Sequence, residues 1–491
     1  MPAKALNRER LIPLIVACAL FMENMDSTVI ATSLPAIAAD IGTSPLTLKL
    51  AITSYLLSLA VFIPASGWTA DRFGARAVFS VAIGVFIVGS IGCALSTSIT
   101  HFVIARIIQG IGGAMMTPVG RLVLLRSIDK SALVNAMAWV TMPALIGPVI
   151  GPPLGGFITT YFSWHWIFIN IPIGLLGIWL ALKYIDPIKS ENPERFDVVG
   201  LVLAGLGVAG LAFGLSVAGL GLLSWEVVTA LIVGGGIAMG FYLWHAKRTA
   251  SPVLDFTLIK HPTLRASLTG GFMYRLGIGA LPFLLPLLMQ VGFGLSPFKS
   301  GLVTFASAVG ALGMKALAAR IIRTFGFRNI MVINAVVSSF FLAACALFTP
   351  ATPLLLIMII LVVGGFFRSL QFTAINTLAY AEVSPGEMSR ATTLVSVNQQ
   401  LAISAGVAVG AFAVEATMAA NHSTELSAND FWPAFLIVAV LSALSAWSFW
   451  KLPEDAGHEI SGHRVPVVES PQAAEAAAAE STHDARDQKL G

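Results

Sequence analysis

The chain has 491 residues, of which 56% are hydrophobic and 11% are charged, and its mean hydropathy is +0.84. This composition excludes an ordinary soluble globular protein and indicates an all-α polytopic membrane protein. The formal net charge of +4 does not indicate a nucleic-acid binder, because the Lys and Arg residues lie in short clusters between apolar runs rather than on one basic face.

A membrane-spanning helix needs about 20 mainly apolar residues, and the chain contains fourteen such runs. They cover residues 11–34, 46–67, 77–98, 101–122, 136–160, 165–185, 197–217, 227–246, 266–290, 298–318, 329–349, 352–378, 391–418 and 431–451. If the N-terminus is cytoplasmic, the external loops contain only Lys49 and Lys299, whereas the cytoplasmic segments contain most of the other cations. This asymmetry predicts that both termini are cytoplasmic.

The first run, FMENMDSTVIATSLP, contains two acids, Glu23 and Asp26. A charged side chain near the bilayer centre costs at least about 2.5–3.5 kcal/mol, so such residues face a protein interior or an aqueous cavity. The two acids are three residues apart and share a helix face. We expect proton coupling or substrate contact here, with Glu23 nearer the midplane; a hydrogen bond of Asp26 that only fixes helix packing remains an alternative.

The loop GWTADRFGAR follows the second run. Its glycines would let two helices turn tightly, and its acid could pair with cytoplasmic arginines or cap the next helix. We predict a conformational latch formed by Gly67, Asp71, Arg72, Gly74 and Arg76. An ordinary charged turn is the alternative.

The fourth run contains RIIQGIGGAMMTPVGR, and its Arg106 lies inside the membrane. Arginine stays protonated in proteins, so Arg106 is expected to influence a nearby carboxylate rather than carry the proton itself.

The fifth run contains ALIGPVIGPPLGG, in which glycines recur four residues apart and prolines interrupt the helix. Such spacing forms a groove that lets a neighbouring helix approach closely, while the prolines bend the helix. The residues of this motif are Gly147, Pro148, Gly151, Pro152, Gly155 and Gly156.

An offset of 252 residues aligns 44–76 with 296–328 without a gap, so that Gly74 meets Gly326 and Arg76 meets Arg328. This repeat predicts two parallel six-helix halves that rock about a substrate site near the midplane. The predicted organisation is a cytoplasmic N-terminus 1–10, an N-terminal bundle 11–190, two inserted helices 191–250, a C-terminal bundle 251–453 and a disordered cytoplasmic tail 454–491.

Together these stretches resemble the major facilitator superfamily, in particular its fourteen-span drug:proton antiporter branch, over about residues 11–453. Within that branch the chain looks most like MdtD-type multidrug transporters, through SPLTLKL, GAMMTPVGRL and SWHWIFINIP. The resemblance places Asp26 at the acidic position of the first-span motif and Arg106 at the arginine of the fourth. It also identifies the Gly-Pro run of the fifth span as the antiporter motif, and it implies proton-coupled export by alternating access.

The C-terminal half contains two arginines well inside its spans, Arg275 and Arg368. The repeat places Arg275 opposite Glu23. Because a guanidinium binds a carboxylate through two hydrogen bonds, these residues favour an organic acid or another anionic metabolite as substrate. The alternative is that they pair with Glu23 and Asp26 and never contact substrate. The amides that could line the same cavity are Gln109, Gln371, Asn376, Asn398 and Gln399.

No nucleotide-binding G-x-x-x-x-G-K-[ST] loop, cofactor motif or metal-ligand spacing is present, so we expect neither an enzyme nor ATP-driven transport by this chain alone. The expected partners are a small-molecule substrate, protons and the lipid bilayer, without nucleic acid. We expect a monomer in the cytoplasmic (inner) membrane of a bacterium. A proton-coupled importer or a channel is the remaining alternative.

Overall fold

The computed structural model describes residues 2–127, 133–168, 170–187, 196–218, 223–384, 386–423 and 425–462. Every regular element in these segments is a helix, as the sequence predicts. Within the described residues, thirteen helices are long and apolar enough to cross a membrane. The predicted fifth span corresponds to one more helix, Leu133–Tyr161, which has 29 residues. The predicted all-α membrane fold is therefore confirmed.

The first part of the chain forms seven helices around a shared apolar core. They are α1 (Pro2–Asp40), α2 (Lys49–Phe62), α3 (Ser66–Phe73), α4 (Ala75–Ala94), α5 (Ile99–Ser127), α6 (Leu133–Tyr161) and α7 (Ile171–Tyr184). Helix α1 packs along α6, and α5 packs between α2 and α4. Side chains such as Phe79, Phe86 and Met116 fill the core and are fully buried.

Two further helices, α8 (Val198–Val217) and α9 (Trp225–Ala246), pack closely against each other, and α8 also contacts α2. Their backbones can approach because Gly210 faces Gly235; a Cβ atom on Gly210 would lie 2.8 Å from the Gly235 Cα atom. Asp197 joins their ends, since its Oδ1 atom accepts a hydrogen bond from the Gly200 amide at 2.7 Å and lies 2.7 Å from His245 Nε2. These helices occupy the predicted insertion.

The last part of the chain forms nine helices. They are α10 (Pro262–Gly279), α11 (Leu281–Leu287), α12 (Pro297–Phe325), α13 (Phe327–Ala344), α14 (Leu354–Leu378), α15 (Met388–Ala420), α16 (Trp432–Ala443), α17 (Ser445–Trp450) and α18 (His458–Ser461). Helix α14 packs on α12 and α13, and α10 packs on α15 and α16. The sequence predicts that a disordered tail begins at residue 454. The structure instead describes residues 454–457 and α18, and Arg328 pairs with Glu454 at 2.6 Å. The predicted tail from 463 onward lies outside the described residues.

The internal repeat has a structural counterpart at its two glycines. Gly74 separates α3 from α4 with a φ of 94°, and Gly326 separates α12 from α13 with a φ of 73°. A side chain at either position would be strained, because L residues rarely adopt positive φ. The copies also begin alike, since Ser44 and Ser296 each accept a hydrogen bond from a backbone amide two or three residues further on.

One loop outside the spans contains a stabilised carboxylate. Glu387 accepts hydrogen bonds from the Ser384 hydroxyl at 2.7 Å and from the Lys260 ammonium group at 3.1 Å. These donors favour the ionised form and lower the pKa of Glu387 from its ordinary 4.5 to about 2. The contact ties the chain segment before α10 to the one before α15.

Candidate functional site

The centre of the first bundle contains a buried ion pair. Asp26 on α1 accepts a hydrogen bond from Arg106 Nη1 at 2.6 Å, and its other carboxylate oxygen accepts one from Gln109 Nε2 at 2.8 Å. Arg106 and Gln109 lie three residues apart on α5, so both side chains reach the same point on α1. The exposed fractions are 3% for Asp26 and 1% for Arg106. Arg106 therefore lies beside a carboxylate, as its place inside an apolar run predicts.

The network extends to two more helices. Arg106 donates from Nε to the Ala51 carbonyl at 3.3 Å and lies 4.3 Å from the centre of the Tyr55 ring, both on α2. Gln109 donates to Ser90 on α4 at 2.8 Å and accepts from Arg106 at 2.6 Å. Four helices therefore meet at one set of charge-assisted hydrogen bonds, and this set shields the Asp26 carboxylate from solvent.

Glu23 has a different environment, although it shares a helix face with Asp26. Its carboxylate accepts a hydrogen bond from the Thr117 hydroxyl at 2.8 Å, and the side chain is only half-buried. Among the described residues no cation forms an ion pair with it. Of the two acids, Glu23 is the one whose carboxylate lies outside the Arg106 network.

The two arginines of the second bundle do not meet these acids. Arg275 donates to Asn376 at 2.8 Å, and its guanidinium lies 5.4 Å from the centre of the Phe372 ring. Arg368 donates to the hydroxyl of Ser307. No ion pair between either arginine and Glu23 or Asp26 occurs in the described part of the chain. The pairing suggested by the repeat is therefore not formed in this conformation.

Arg275 is 3% exposed, and its Nε and Nη1 atoms are buried without a hydrogen-bond partner in the structure. Buried polar groups are normally satisfied, and an unsatisfied donor costs about 1–3 kcal/mol or more when it is charged. Two donors of this buried cation are therefore without an acceptor among the described residues.

The predicted cavity amides separate into two groups. Gln109 and Gln371 are fully buried inside their own bundles; Gln371 accepts from Asn334 at 2.9 Å and donates to the Met331 carbonyl at 3.0 Å. They fix helix packing and contribute no surface to a cavity, which corrects the prediction for both. Asn376 and Asn398 remain partly exposed, and Asn398 bonds the Leu268 carbonyl at 3.1 Å. The two groups differ in side-chain burial, which cannot be predicted from the spacing of polar residues along the sequence.

The Gly-Pro run of α6 makes the close helix approach that its spacing predicts. A Cβ atom on Gly147 would lie 3.1 Å from the Met25 amide nitrogen, and one on Gly155 would lie 2.5 Å from the Val29 carbonyl oxygen. One on Gly151 would overlap Thr28. This face of α6 therefore packs directly on the backbone of α1, the helix that contains both acids.

The adjacent position, Gly156, faces the other bundle. Its Cβ atom would lie 2.7 Å from the carbonyl carbon of Pro297 and 2.9 Å from the Cα atom of Phe298, at the start of α12. In return, a Cβ atom on Gly301 of α12 would lie 2.9 Å from the carbonyl carbon of Pro152. The motif thus joins the two bundles at one end as well as packing α6 on α1.

Polar contacts between the bundles accompany this junction at the predicted external end. Lys49 at the start of α2 pairs with Glu415 of α15, with N–O distances of 2.9 and 3.1 Å. Gln290 donates to the Thr32 carbonyl at 2.9 Å. Lys49 is 1% exposed, so the pair is well shielded from solvent. These contacts hold the bundles together at this end.

Lys49 lies in a predicted external loop, and Glu415 is not among the residues that the sequence motifs predict for the site. The criterion applied to Glu23, an acid inside an apolar run, would have identified Glu415 as well, because it lies within the predicted span 391–418. What the sequence did not provide was its partner, which is 366 residues away.

The predicted latch loop is only partly as expected. Gly74 makes the turn, whereas Gly67 lies inside α3 and a Cβ atom there would meet nothing within 4 Å, so Gly67 is not required for a close approach. Asp71 and Arg72 also lie on α3. Arg76, at the start of α4, donates to the Ile185 carbonyl after α7 at 3.4 Å. That contact lies within one bundle, so the latch function remains a prediction.

Comparison with known proteins gives consistent matches along the chain. The model of the family described as Major Facilitator Superfamily matches residues 16–244 and 267–479. The protein named "Putative multidrug resistance protein MdtD" from Serratia proteamaculans (strain 568) is 38% identical over 451 residues, covering 90% of this chain and 93% of the relative. The protein of that name from Yersinia enterocolitica serotype O:8 / biotype 1B is also 38% identical, over 454 residues, covering 90% and 95%.

Solved structures show the same fold. The crystal structure of a D-xylose-proton symporter matches with a TM-score of 0.63 and covers 91% of this chain and 98% of its own. That of the human organic anion transporter MFSD10 matches with a TM-score of 0.58 and covers 90% and 99%. Both are 15% identical in sequence to this chain, so they are evidence for the fold alone.

Proposed function

The chain belongs to the major facilitator superfamily, and from this premise we propose that it is a proton-coupled exporter of small organic compounds, of the multidrug-efflux type. It is a membrane transporter and not an enzyme. Export is supported by the 38% identity to relatives that are named as multidrug resistance proteins. Coupling to protons is supported by the contrast between the two acids of α1.

That contrast is the observation on which the proposal rests. Asp26 forms a buried ion pair with Arg106, whereas Glu23 is half-buried and, within the described residues, its carboxylate bonds only the Thr117 hydroxyl. In the proposed mechanism Glu23 accepts a proton from one side of the membrane and releases it on the other. Its protonation then changes the charge on α1 by one unit at the contact with Thr117 of α5.

Asp26 and Arg106 have a positioning role in this mechanism. Their network joins α1, α2, α4 and α5, so the first bundle can move as a rigid unit when the halves rock. The contacts between Gly156 and Pro297, and between Lys49 and Glu415, would break when the external end opens. The loop around Gly74 and Arg76 is proposed as the latch for the opposite end.

Transport into inverted membrane vesicles under an imposed pH gradient tests the proposal. Uptake of substrates should require an acidic lumen, and Glu23→Gln should abolish this dependence while exchange of unlabelled for labelled substrate continues. Asp40→Asn is the matched control, because Asp40 lies on the same helix but is largely exposed at its far end. Gradient-dependent uptake that survives in Glu23→Gln would exclude Glu23 as the proton carrier.

A second candidate, export of organic acids or other anionic compounds, is favoured by one observation. The Nε and Nη1 atoms of Arg275 are buried and unpaired, and each can donate a hydrogen bond to an anionic oxygen. Asn376 and Arg368 could complete such a site. A panel of cationic dyes and organic acids in the same vesicles separates the candidates. Arg275→Gln should lower the uptake of acids selectively, whereas Lys315→Gln, which changes a partly exposed cation on α12, should not.

We further propose that the protein is a monomer in the inner membrane of a bacterium, with both termini in the cytoplasm. The orientation is supported by the scarcity of cations in the predicted external loops. The proposed organisation is two six-helix bundles separated by α8 and α9. Labelling of single cysteines at Phe162 and Arg248 with an impermeant reagent on intact cells tests the orientation, since only the former should react.

A further inference from the structure

A groove with a volume of about 570 Å³ runs between α10 and the α16–α17 pair, away from the residues discussed so far. Its walls are apolar at one end, where Met273 and Leu444 lie 45% and 53% exposed. Trp447 forms part of the opposite wall and is 61% exposed. The groove continues past two hydroxyls to two cations.

The apolar part of the groove faces the bilayer. Helix α10 and the α16–α17 segment both belong to spans that are long and apolar enough to cross a membrane. Side chains that are half-exposed on such spans contact hydrocarbon, since the bilayer core contains almost no water. A groove of this size on the lipid-facing surface is filled by acyl chains.

The polar end has the opposite character. Arg265 and Lys451 line it and are exposed, and among the described residues neither forms an ion pair with a carboxylate. Lys451 lies 5.4 Å from the centre of the Trp447 ring. One turn along α10 from Arg265, the hydroxyls of Thr269 and Ser448 lie 2.8 Å apart across the groove. This end therefore offers two positive charges and two hydroxyls beside an apolar slot.

We propose that this groove binds a phospholipid with an anionic head group. Its phosphate lies between Arg265 and Lys451, its glycerol and ester oxygens lie near Thr269 and Ser448, and one acyl chain follows Met273. The charge complementarity and the position on the lipid-facing surface together select this occupant. A free phosphate ion would leave the apolar slot without a partner. A zwitterionic lipid would place its own cationic group next to Arg265 and Lys451, where like charges repel.

By the predicted topology both cations lie at the cytoplasmic end, so the lipid comes from the cytoplasmic leaflet. It connects the first long helix of the second bundle with its last span. Bound there, it stabilises this bundle through contacts on both sides of the groove. Lipid binding in this groove depends neither on the transported substrate nor on proton coupling.

Native mass spectrometry of the full chain in detergent tests the proposal, with phosphatidylglycerol and phosphatidylcholine of identical acyl chains as probes. The unmodified protein should bind phosphatidylglycerol more tightly. Each Lys or Arg that contacts the anionic head group of a bound lipid strengthens binding about fivefold. The double substitution Arg265→Gln with Lys451→Gln should therefore weaken phosphatidylglycerol binding by about 25-fold and leave phosphatidylcholine binding unchanged.

The matched control is Lys247→Gln with Arg248→Gln. Arg248 also lies over a tryptophan at the end of a span, 3.8 Å from the centre of the Trp244 ring, but does not line the groove. This control should bind both lipids like the unmodified protein. The charge-conserving pair Arg265→Lys with Lys451→Arg should restore phosphatidylglycerol binding, which separates loss of charge from misfolding.

A second measurement locates the lipid. Phosphatidylglycerol with brominated acyl chains should quench the fluorescence contributed by Trp447, obtained as the difference between the protein and its Trp447→Phe variant. Inorganic phosphate at millimolar concentration should not relieve this quenching. Equal affinity for the two lipids, an equal loss in the control pair, displacement by phosphate, or no quenching of Trp447 would each overturn the proposal.

Discussion

Replacing Gly156 by alanine should shift the protein toward the conformation in which its external end is open. In the described conformation the added Cβ atom would lie 2.7 Å from the carbonyl carbon of Pro297. Carbon atoms rest about 3.5–4.0 Å apart, so α12 would have to retreat by at least about 0.8 Å. The obstacle is backbone, which cannot rotate away as a side chain can.

The energetic effect follows from this overlap. Inserting an extra methyl group into a well-packed contact typically costs about 1–3 kcal/mol. The strain is absent when the bundles separate at this end. It therefore raises the free energy of the closed conformation relative to the open one. A bias of that size changes their ratio about 5-fold to 150-fold. Gly301→Ala should act in the same direction, because its Cβ atom meets the backbone of Pro152 from the other side.

Double electron–electron resonance between spin labels at Phe162 and Leu347 measures the shift. Both side chains are strongly exposed at the predicted external end, one on each bundle. The long-distance population should grow in Gly156→Ala and stay unchanged in Gly313→Ala, a control on α12 whose Cβ atom would meet nothing within 4 Å. If the two variants give the same distance distribution, the steric argument is refuted.

Three other variants have defined outcomes. Asp26→Ala leaves the buried charge of Arg106 without its carboxylate and should lower the free energy of unfolding in detergent by about 3–5 kcal/mol. The double variant Asp26→Leu with Arg106→Met should recover much of this loss. If it recovers none, the unpaired charge is not the cause of the destabilisation. Glu415→Gln removes the partner of buried Lys49 and should raise the reactivity of cysteines at the external end at least about tenfold; unchanged reactivity would exclude the pair as a closing contact. Glu387 has a lowered pKa, so its ionised form stabilises the fold above about pH 4.5, and this contribution disappears as the pH falls to about 2. The melting temperature of Glu387→Gln should accordingly lie below that of the unmodified protein at pH 7 and at pH 5, and the two should converge toward pH 2; a constant difference would contradict this assignment.

The positions of the helices could be predicted because apolar run length alone determines which segments cross a bilayer. Spans such as 391–418 differ from the helix Met388–Ala420 only at their ends. The two glycines at the ends of the repeat were also predictable as turns, because positive φ has a clear residue preference. Gly67 was assigned to the same turn wrongly, since the helix continues through it and only the described backbone shows this.

The candidate site was predictable in its residue types and not in its pairs. Arg106 was expected beside a carboxylate, but the repeat placed Arg275 beside Glu23, and the structure leaves these two residues apart. Internal symmetry relates helix positions, whereas side-chain contacts depend on the rotation and depth of each helix within its bundle. A similar distinction applies to Gln371, whose polarity suggested a cavity although it satisfies its hydrogen bonds inside the bundle.

The sequence by itself therefore determined the fold class, the number and order of the spans, and the presence of acids and arginines inside the membrane, because these depend on composition along short segments. Only the tertiary structure decided that Asp26 pairs with Arg106 while Glu23 lies outside that pair and bonds Thr117, and that Lys49 meets Glu415. The physical reason is distance along the chain: these pairs join residues 80 and 366 positions apart, and no local pattern specifies which helices meet.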